Sequence, residues 1–322
     1  MNFKTLDNGS CECFCVIKSV EVKKSSRGGE YLDLVLCDNS GEIVAKFWDY
    51  NDILHGEYAA NELIKVRGKV SPYNGVDQLR VEQIRHTVPA DNVKIEDFVP
   101  SAAYDTKAML AELERLVNAF EDEGLKAITL ALLNKNRDRL LYWPAAFKLH
   151  HAMRGGLLTH ILSIVRLAQK FCEIYPCLDQ DLLLAGAILH DIAKLEEYEV
   201  PETGIATGYT AKGSLLGHPV MGAQAVRETA RELGVSEETS ILLEHMILSH
   251  HGVPEFGAAV MPLFPEAEVL SELDLIDARI FEYYDSLEDV PANSFSGKVW
   301  ALDNRKLYNH GRSKGEYLPK LF

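Results

Sequence analysis

DLLLAGAILHDIAK, residues Asp181–Lys194, is apolar on nearly every face until its end, where His190, Asp191 and Lys194 interrupt the pattern. A helix that is hydrophobic all round lies inside a protein, so these three polar groups are carried into a core. Burying a carboxylate beside an imidazole is costly unless something pairs with them, and a metal cation is an efficient partner. Adjacent helical positions lie about 100° apart, so His190 and Asp191 can reach around one site, with the carboxylate able to bridge two ions. Lys194, one turn after His190, can contact a substrate phosphate. The plainer alternative is a His–Asp pair capping a buried helix, and the dipeptide alone does not choose between them.

The surrounding segments add residues of the same kind. In Gly156–Phe171, His160 lies on the stripe Leu157, Ile161, Ile164 and Ala168; alone it would read as a satisfied core histidine. His218 precedes Pro219, a good first-turn residue, and so belongs at a helix start. In ILLEHMILSHHG, His250 and His251 follow Ile247 by three and four positions and flank its buried face, and Gly252 ends the helix. His245 points away and reads as structural or supporting. Leu270, Asp274, Asp277 and Phe281 share a face of the last long helix; one of these aspartates completes the set, and spacing alone does not say which. Mixed imidazole and carboxylate donors suit Mn²⁺, Fe²⁺ or Zn²⁺ better than Ca²⁺. Helices are predicted at about 107–121, 125–140, 156–173, 179–195, 219–233, 236–251 and 266–285.

Before residue 90 the pattern is different. Val16–Val22, Tyr31–Leu36, Ile43–Trp48, Leu63–Val70 and Gln78–Ile84 are β-rich runs, broken by Arg27-Gly28-Gly29, Asp38-Asn39-Ser40-Gly41 and Asn74-Gly75. Asn-Gly between alternating runs marks a tight hairpin whose central residues need positive φ. Five short strands with a helical stretch at Asp49–Ala60, between the third and fourth, suit an oligonucleotide-binding (OB) barrel. Alternation places Ile64, Val66 and Val70 inward, and Ile43, Ala45 and Phe47 likewise. It leaves Lys65, Arg67, Lys69, Lys46, Trp48 and Arg80 outward. Cations interleaved with an aromatic ring suit single-stranded nucleic acid, although a solvated face with Trp48 packed on the next loop has the same pattern.

The chain has 322 residues and a net charge of −15, which argues against broad nonspecific DNA binding. Residues 1–90 carry 11 Lys and Arg against 13 Asp and Glu, so most of the acidity lies beyond the barrel. No signal peptide or membrane span is expected, which implies a cytoplasmic protein. Cys11, Cys13 and Cys15 alternate on one strand face; with Cys37, Cys172 and Cys177 they read as reduced thiols rather than a zinc or disulfide framework.

The order His…His-Asp…His…His-His…Asp is similar to the HD superfamily of metal phosphohydrolases. Taken whole, the chain resembles the YhaM-type 3′→5′ exoribonucleases of bacteria. The likeness includes GKVSPYNGVDQLRV, DFVP, HHAMRGGLLTH, ILHDIAK, LLGHP, LSHHG and ALDNRKLY, and runs over nearly the whole length. It implies a multidomain protein, a small all-β OB-fold barrel followed by an all-α HD domain. The divisions are 1–88 for the barrel, 89–106 for a linker, 107–290 for the HD domain and 291–322 for a C-terminal extension. It implies His160, His190, Asp191, His218, His250, His251 and Asp274 as ligands to a divalent metal, expected as two ions. Mn²⁺ is foremost, with Fe²⁺, Zn²⁺ or Mg²⁺ as alternatives. Asp274 is favoured over Asp277 because it opens a D-x-x-[DE]-A pattern that Ala278 closes. Asp191, Lys194 and Arg154 are the implied catalytic residues, and His151 with Arg154 would face substrate, unless His150 and His151 merely cap a helix. The implied partner is single-stranded RNA, with single-stranded DNA a further substrate, shortened to nucleoside 5′-monophosphates; a homo-oligomer is compatible with the same reading. Two rivals remain: an HD enzyme acting on a nucleotide or cyclic dinucleotide with the barrel as a regulatory or assembly module, and a noncatalytic single-strand-binding protein.

Overall fold

Period-two alternation in the first third of the chain produces five strands: β1 (Gly9–Lys24), β2 (Glu30–Asp38), β3 (Gly41–Trp48), β4 (Leu63–Tyr73) and β5 (Val76–His86). They close in the order β1-β2-β3-β5-β4, and the parallel β3–β5 pairing, Val44↔Gln78 to Phe47↔Val81, completes the ring. This is the OB fold. The computed structural model describes residues 3, 9–26, 28–313 and 318–322, so Arg27 of the first predicted turn lies outside the described residues. The chain divides into two compact units, Met1–Ser101 with Pro201–Thr203, and Ala102–Val200 with Gly204–Phe322.

The inward residues of alternate positions, among them Cys15, Ile17, Leu34, Ala45, Ile64 and Leu79, fill the barrel. At the β4–β5 hairpin Asn74 (φ 51°) and Gly75 (φ 80°) both take the left-handed conformation, which suits a two-residue turn. At the β2–β3 turn the Asp38 carboxylate instead accepts from the Ser40 and Gly41 N–H groups, at 2.7 and 3.1 Å. The helix expected over Asp49–Ala60 is only α1 (Asp52–His55). Asn51 caps it, and Gly56 (φ 81°) ends it after one turn. Residues 89–101 are not a bare connector: Arg85 donates to both Asp91 carboxylate oxygens at 2.7 Å, and Val99 is buried.

The second unit is built on α2 (Thr106–Asn118), α3 (Glu123–Leu140), α4 (Gly156–Ile174), α5 (Gln180–Leu189), α6 (Lys194–Glu197), α7 (Ala211–Leu233), α8 (Glu237–Ser249) and α9 (Pro265–Leu287). Every residue of α5 from Leu182 to Leu189 is buried, and α3, α4, α8 and α9 pack around it. The expected single helix over 179–195 is interrupted at its end. Ile192 and Lys194 donate their N–H groups to the Leu189 and Asp191 carbonyls, three residues back rather than four, which tightens the chain into a turn. Nor is the unit wholly helical. It also carries a short pair, β6 (Tyr198–Glu199) with β7 (Gly208–Tyr209), and a hairpin, β8 (Ser294–Val299) with β9 (Arg305–Asn309). Among the described residues no helix is long and apolar enough to cross a membrane. All six cysteines are free thiols.

Candidate metal centre and nucleic-acid face

The turn after α5 brings His190 and Asp191 to one point in the core, both essentially without solvent exposure. His160 arrives from α4, whose start needs two glycines. Gly155 takes φ 72°, and a Cβ on Gly156 would overlap the His151 carbonyl oxygen. His218 arrives from α7, where Gly217 (φ 72°, ψ 156°) breaks the helix so that a new helical stretch starts at His218-Pro219. His250 and His251 follow the last turn of α8, and Asp274 and Asp277 come from the inner side of α9.

The imidazoles are held in one tautomer. His190 Nδ1 donates to the Ala187 carbonyl at 2.9 Å, and His250 Nδ1 donates to that of Ile247 at 2.6 Å. His160 Nδ1 donates to Asp277 at 2.8 Å, and His218 Nδ1 donates to both Glu197 oxygens at 3.0 and 3.1 Å. Carbonyls and carboxylates only accept, so each Nδ1 carries a proton and each Nε2 can present a lone pair. Those Nε2 atoms then meet in pairs, His160 with His190 at 3.4 Å and His218 with His250 at 3.4 Å. Two lone pairs facing each other repel unless positive charge lies between them.

Asp191 stands between the pairs. Its Oδ2 is 3.6 Å from His160 Nε2 and 3.4 Å from His190 Nε2. Its Oδ1, 3.3 Å from His218 Nε2 and 3.8 Å from His250 Nε2, is buried with no hydrogen-bond partner. Asp274 Oδ1 adds a donor 3.1 Å from His160 Nε2. His251 adds another: its Nδ1 is buried with no hydrogen-bond partner, and its ring lies 4.1 Å from that of His250. Ligand atoms of His160, His190 and Asp191 lie within 4.8 Å of one another, as do those of His218, His250 and His251. Orphaned buried oxygen and nitrogen atoms with converging imidazoles fit a divalent metal.

The electrostatics agree. Burial pushes the Asp191 and Asp274 carboxyls up, but Lys194 and His190 for the first, and His160 and His190 for the second, outweigh it and hold both well below the usual range. Burial opposes charge on His160 as well, yet Asp274 and Asp277 raise its pKa to about 10, so without a metal its Nε2 also holds a proton, shared with Asp274, which a bound cation would replace. The pocket therefore attracts a cation. Burial, with His218 nearby, lowers His251 to about 4, leaving it a neutral donor. Lys194 Nζ is 2.7 Å from Asp191 Oδ2, an ion pair sunk in the core. Arg154 is half-buried, its guanidinium over the Tyr142 ring at 5.5 Å.

The structure places His151 in the core behind His160: it is fully buried, its Nε2 donates to Asp277 at 3.0 Å, and its ring packs on Phe281. Two adjacent histidines in HHAMRGG have no periodicity to say which turns inward. Asp277 is the carboxylate behind His160, also accepting from the Ser163 hydroxyl, while Asp274 faces the donor cluster. His245 is structural, since its Nε2 accepts from the Leu263 N–H at 3.0 Å. Glu197 was missed. Nothing in KLEEYEV sets one glutamate apart, and only its register, buried where Glu196 is exposed, would have singled it out.

On the barrel, Trp48 stacks on Tyr31 at 4.5 Å. Lys46 Nζ lies 4.9 Å from the Tyr31 ring and 5.9 Å from that of Trp48. The strand register places Lys46 opposite Arg80, and Arg80 opposite Lys69, as one row of cations across β3, β5 and β4. Lys65 is bound to Glu12 at 2.5 Å and lies over Phe14, and Arg67 is exposed on the same strand.

Residues 157–279 match the HD domain family. The chain is 37% identical over 298 residues to the 3′-5′ exoribonuclease YhaM of Listeria welshimeri serovar 6b, covering 92% of this chain and 94% of that protein. It is 36% identical over 297 residues to the YhaM of Bacillus licheniformis, with 92% and 94% covered. Among solved structures, the second OB-fold domain of replication protein A from Methanococcus maripaludis aligns with a TM-score of 0.22 at 20% identity, covering 27% of this chain and 94% of that one. Similarity at this level over nearly the full length of both chains, with the HD match on the helices that carry the histidine and aspartate cluster, means that the chain belongs to the YhaM 3′-5′ exoribonuclease family.

Proposed function

We propose that this protein is a metal-dependent phosphodiesterase that shortens single-stranded RNA, and single-stranded DNA as a further substrate, from the 3′ end to nucleoside 5′-monophosphates in the cytoplasm. The polarity and the RNA substrate follow from kinship with the YhaM exoribonucleases. The observation that carries the chemistry is the two-sided environment of Asp191, each oxygen of which faces its own pair of imidazole Nε2 atoms. Two divalent cations, Mn²⁺ ahead of Fe²⁺, Zn²⁺ or Mg²⁺, held by His160, His190, Asp191 and Asp274 and by Asp191, His218, His250 and His251, would supply Lewis acidity at the scissile phosphate and a nucleophilic water.

The chain's own groups do the rest. Asp191 ties the two donor sets together, and Asp277 keeps His160 in its donor tautomer. Lys194 and Arg154 offset the charge that builds on the phosphate oxygens in the transition state. On the barrel, Lys46, Lys65, Arg67, Lys69 and Arg80 track phosphates and the Tyr31–Trp48 pair offers a stacking platform for bases.

A single-turnover digest of 5′-labelled and 3′-labelled single-stranded RNA with Mn²⁺ tests this, run beside EDTA and Asp191→Ala controls. A ladder shortening from the 3′ end, lost in both controls, is expected. Intact RNA in the presence of Mn²⁺ would overturn the nuclease reading and turn attention to nucleotides and cyclic dinucleotides.

A further inference from the structure

Glu197 lies outside the donor set, yet the fold is built closely around it. It is the last residue of α6 and is buried. Its Oε1 accepts from the His218 backbone N–H at 3.0 Å, and both its oxygens accept from His218 Nδ1. The Gly217 break is what frees that N–H from the helix ladder, and Pro219 has none to offer. The first turns of α7 run tightly against the same segment, since a Cβ on Gly213 would overlap the Glu197 carbonyl oxygen. One carboxylate thus caps the second stretch of α7 and grips the ring of its first residue.

We infer that Glu197 is a positioning residue that fixes His218 as the Nδ1–H tautomer and so controls metal occupancy of the half-site formed by His218, His250 and His251. The inference rests on the metal-dependent reading above. A carboxylate can only accept, so Nδ1 must hold the proton and Nε2 is left bare toward Asp191 and His250. The half-sites are matched in this respect but use different carboxylates: His160 leans on Asp277 and His218 on Glu197. Glu197→Gln keeps the shape but adds an amide donor. The amide N–H can donate to Nδ1, which moves the ring proton to Nε2 and removes the lone pair from the half-site. Loss of such an outer partner weakens metal binding about 10–100-fold.

The test is titration of Mn²⁺ into the EDTA-stripped full-length chain, by calorimetry with elemental analysis, for the unsubstituted protein, E197Q and E196Q. Glu196 is the exposed neighbour, paired with Arg139 at 2.6 Å. The unsubstituted chain and E196Q should bind two Mn²⁺ per chain. E197Q should keep one at unchanged affinity and bind the other about 10–100-fold more weakly. Equal binding of both ions by E197Q would reduce Glu197 to a helix cap and overturn the inference. Failure of the unsubstituted chain to bind Mn²⁺ would overturn the metal reading itself, and the inference with it. Should E197Q fold poorly by circular dichroism, ¹⁵N NMR of histidine-labelled, metal-free unsubstituted protein decides: a proton on His218 Nδ1 supports the inference, and one on Nε2 overturns it.

Discussion

Lys194 is the positive charge that the structure sets against Asp191, and both side chains are buried. Removing one partner of a buried ion pair strands the other, at a cost of about 3–5 kcal/mol. Lys194→Met should therefore destabilise the EDTA-treated protein by about 3 kcal/mol in urea unfolding, and Mn²⁺ should narrow the gap by giving Asp191 a different cation. On the barrel, Trp48→Ala removes a stacking surface and should weaken single-stranded RNA binding by about 1–3 kcal/mol, read by fluorescence anisotropy. At this scale most of the clustered histidines and aspartates were legible, because a polar side chain on an apolar stripe is conspicuous against its neighbours. His151 and Glu197 were not: the first is one of two adjacent histidines before a helix, the second one of two adjacent glutamates. In both cases the backbone path, rather than side-chain type, decides which goes inward. The D-x-x-[DE]-A pattern favoured Asp274, and the contacts place that carboxylate against His160 Nε2 and Asp277 against Nδ1.

Between elements, the link from α2 to α4 is electrostatic as well as apolar. Glu112 on α2 takes hydrogen bonds from Arg115 at 2.7 Å and from Arg166 on α4 at 2.6 Å. Arg115, reinforced by Arg166 against the effect of burial, pushes its carboxyl down to about 2. Because the folded value is lowered, the stabilisation is complete above the ordinary carboxylate pKa of about 4.3 and disappears as pH falls through about 2. Glu112→Gln should cost about 1 kcal/mol at neutral pH once solvent screening around the exposed Arg115 is allowed for. Denaturation curves of the two proteins should converge by about pH 2. Strands and long helices were readable because their periods of 2 and 3.6 are written into apolar spacing. The break after Leu189 was not, since residues on both sides of it are buried and the apolar pattern runs straight through.

For the whole molecule, a charge of −15 is a poor guide to what the barrel can hold, because its acidity lies mostly elsewhere. If the row Lys46, Arg80 and Lys69, with Lys65 and Arg67 beside it, carries the phosphate contacts, the log–log salt slope of RNA binding should be about −3.5, about −0.7 for each phosphate neutralised on a single strand. Lys69→Ala should make it shallower by about 0.7 without changing base preference, measured by anisotropy across a salt series. That row also has a mechanical meaning. The β3–β5 edge, which closes the barrel, is joined by four residue pairs, whereas each of the other edges has eight or more. A polyanion lying along Lys46, Arg80 and Lys69 would cross that short joint rather than run beside it. It would then act as a clasp, and the barrel would be hardest to pry open where, unliganded, it parts most readily.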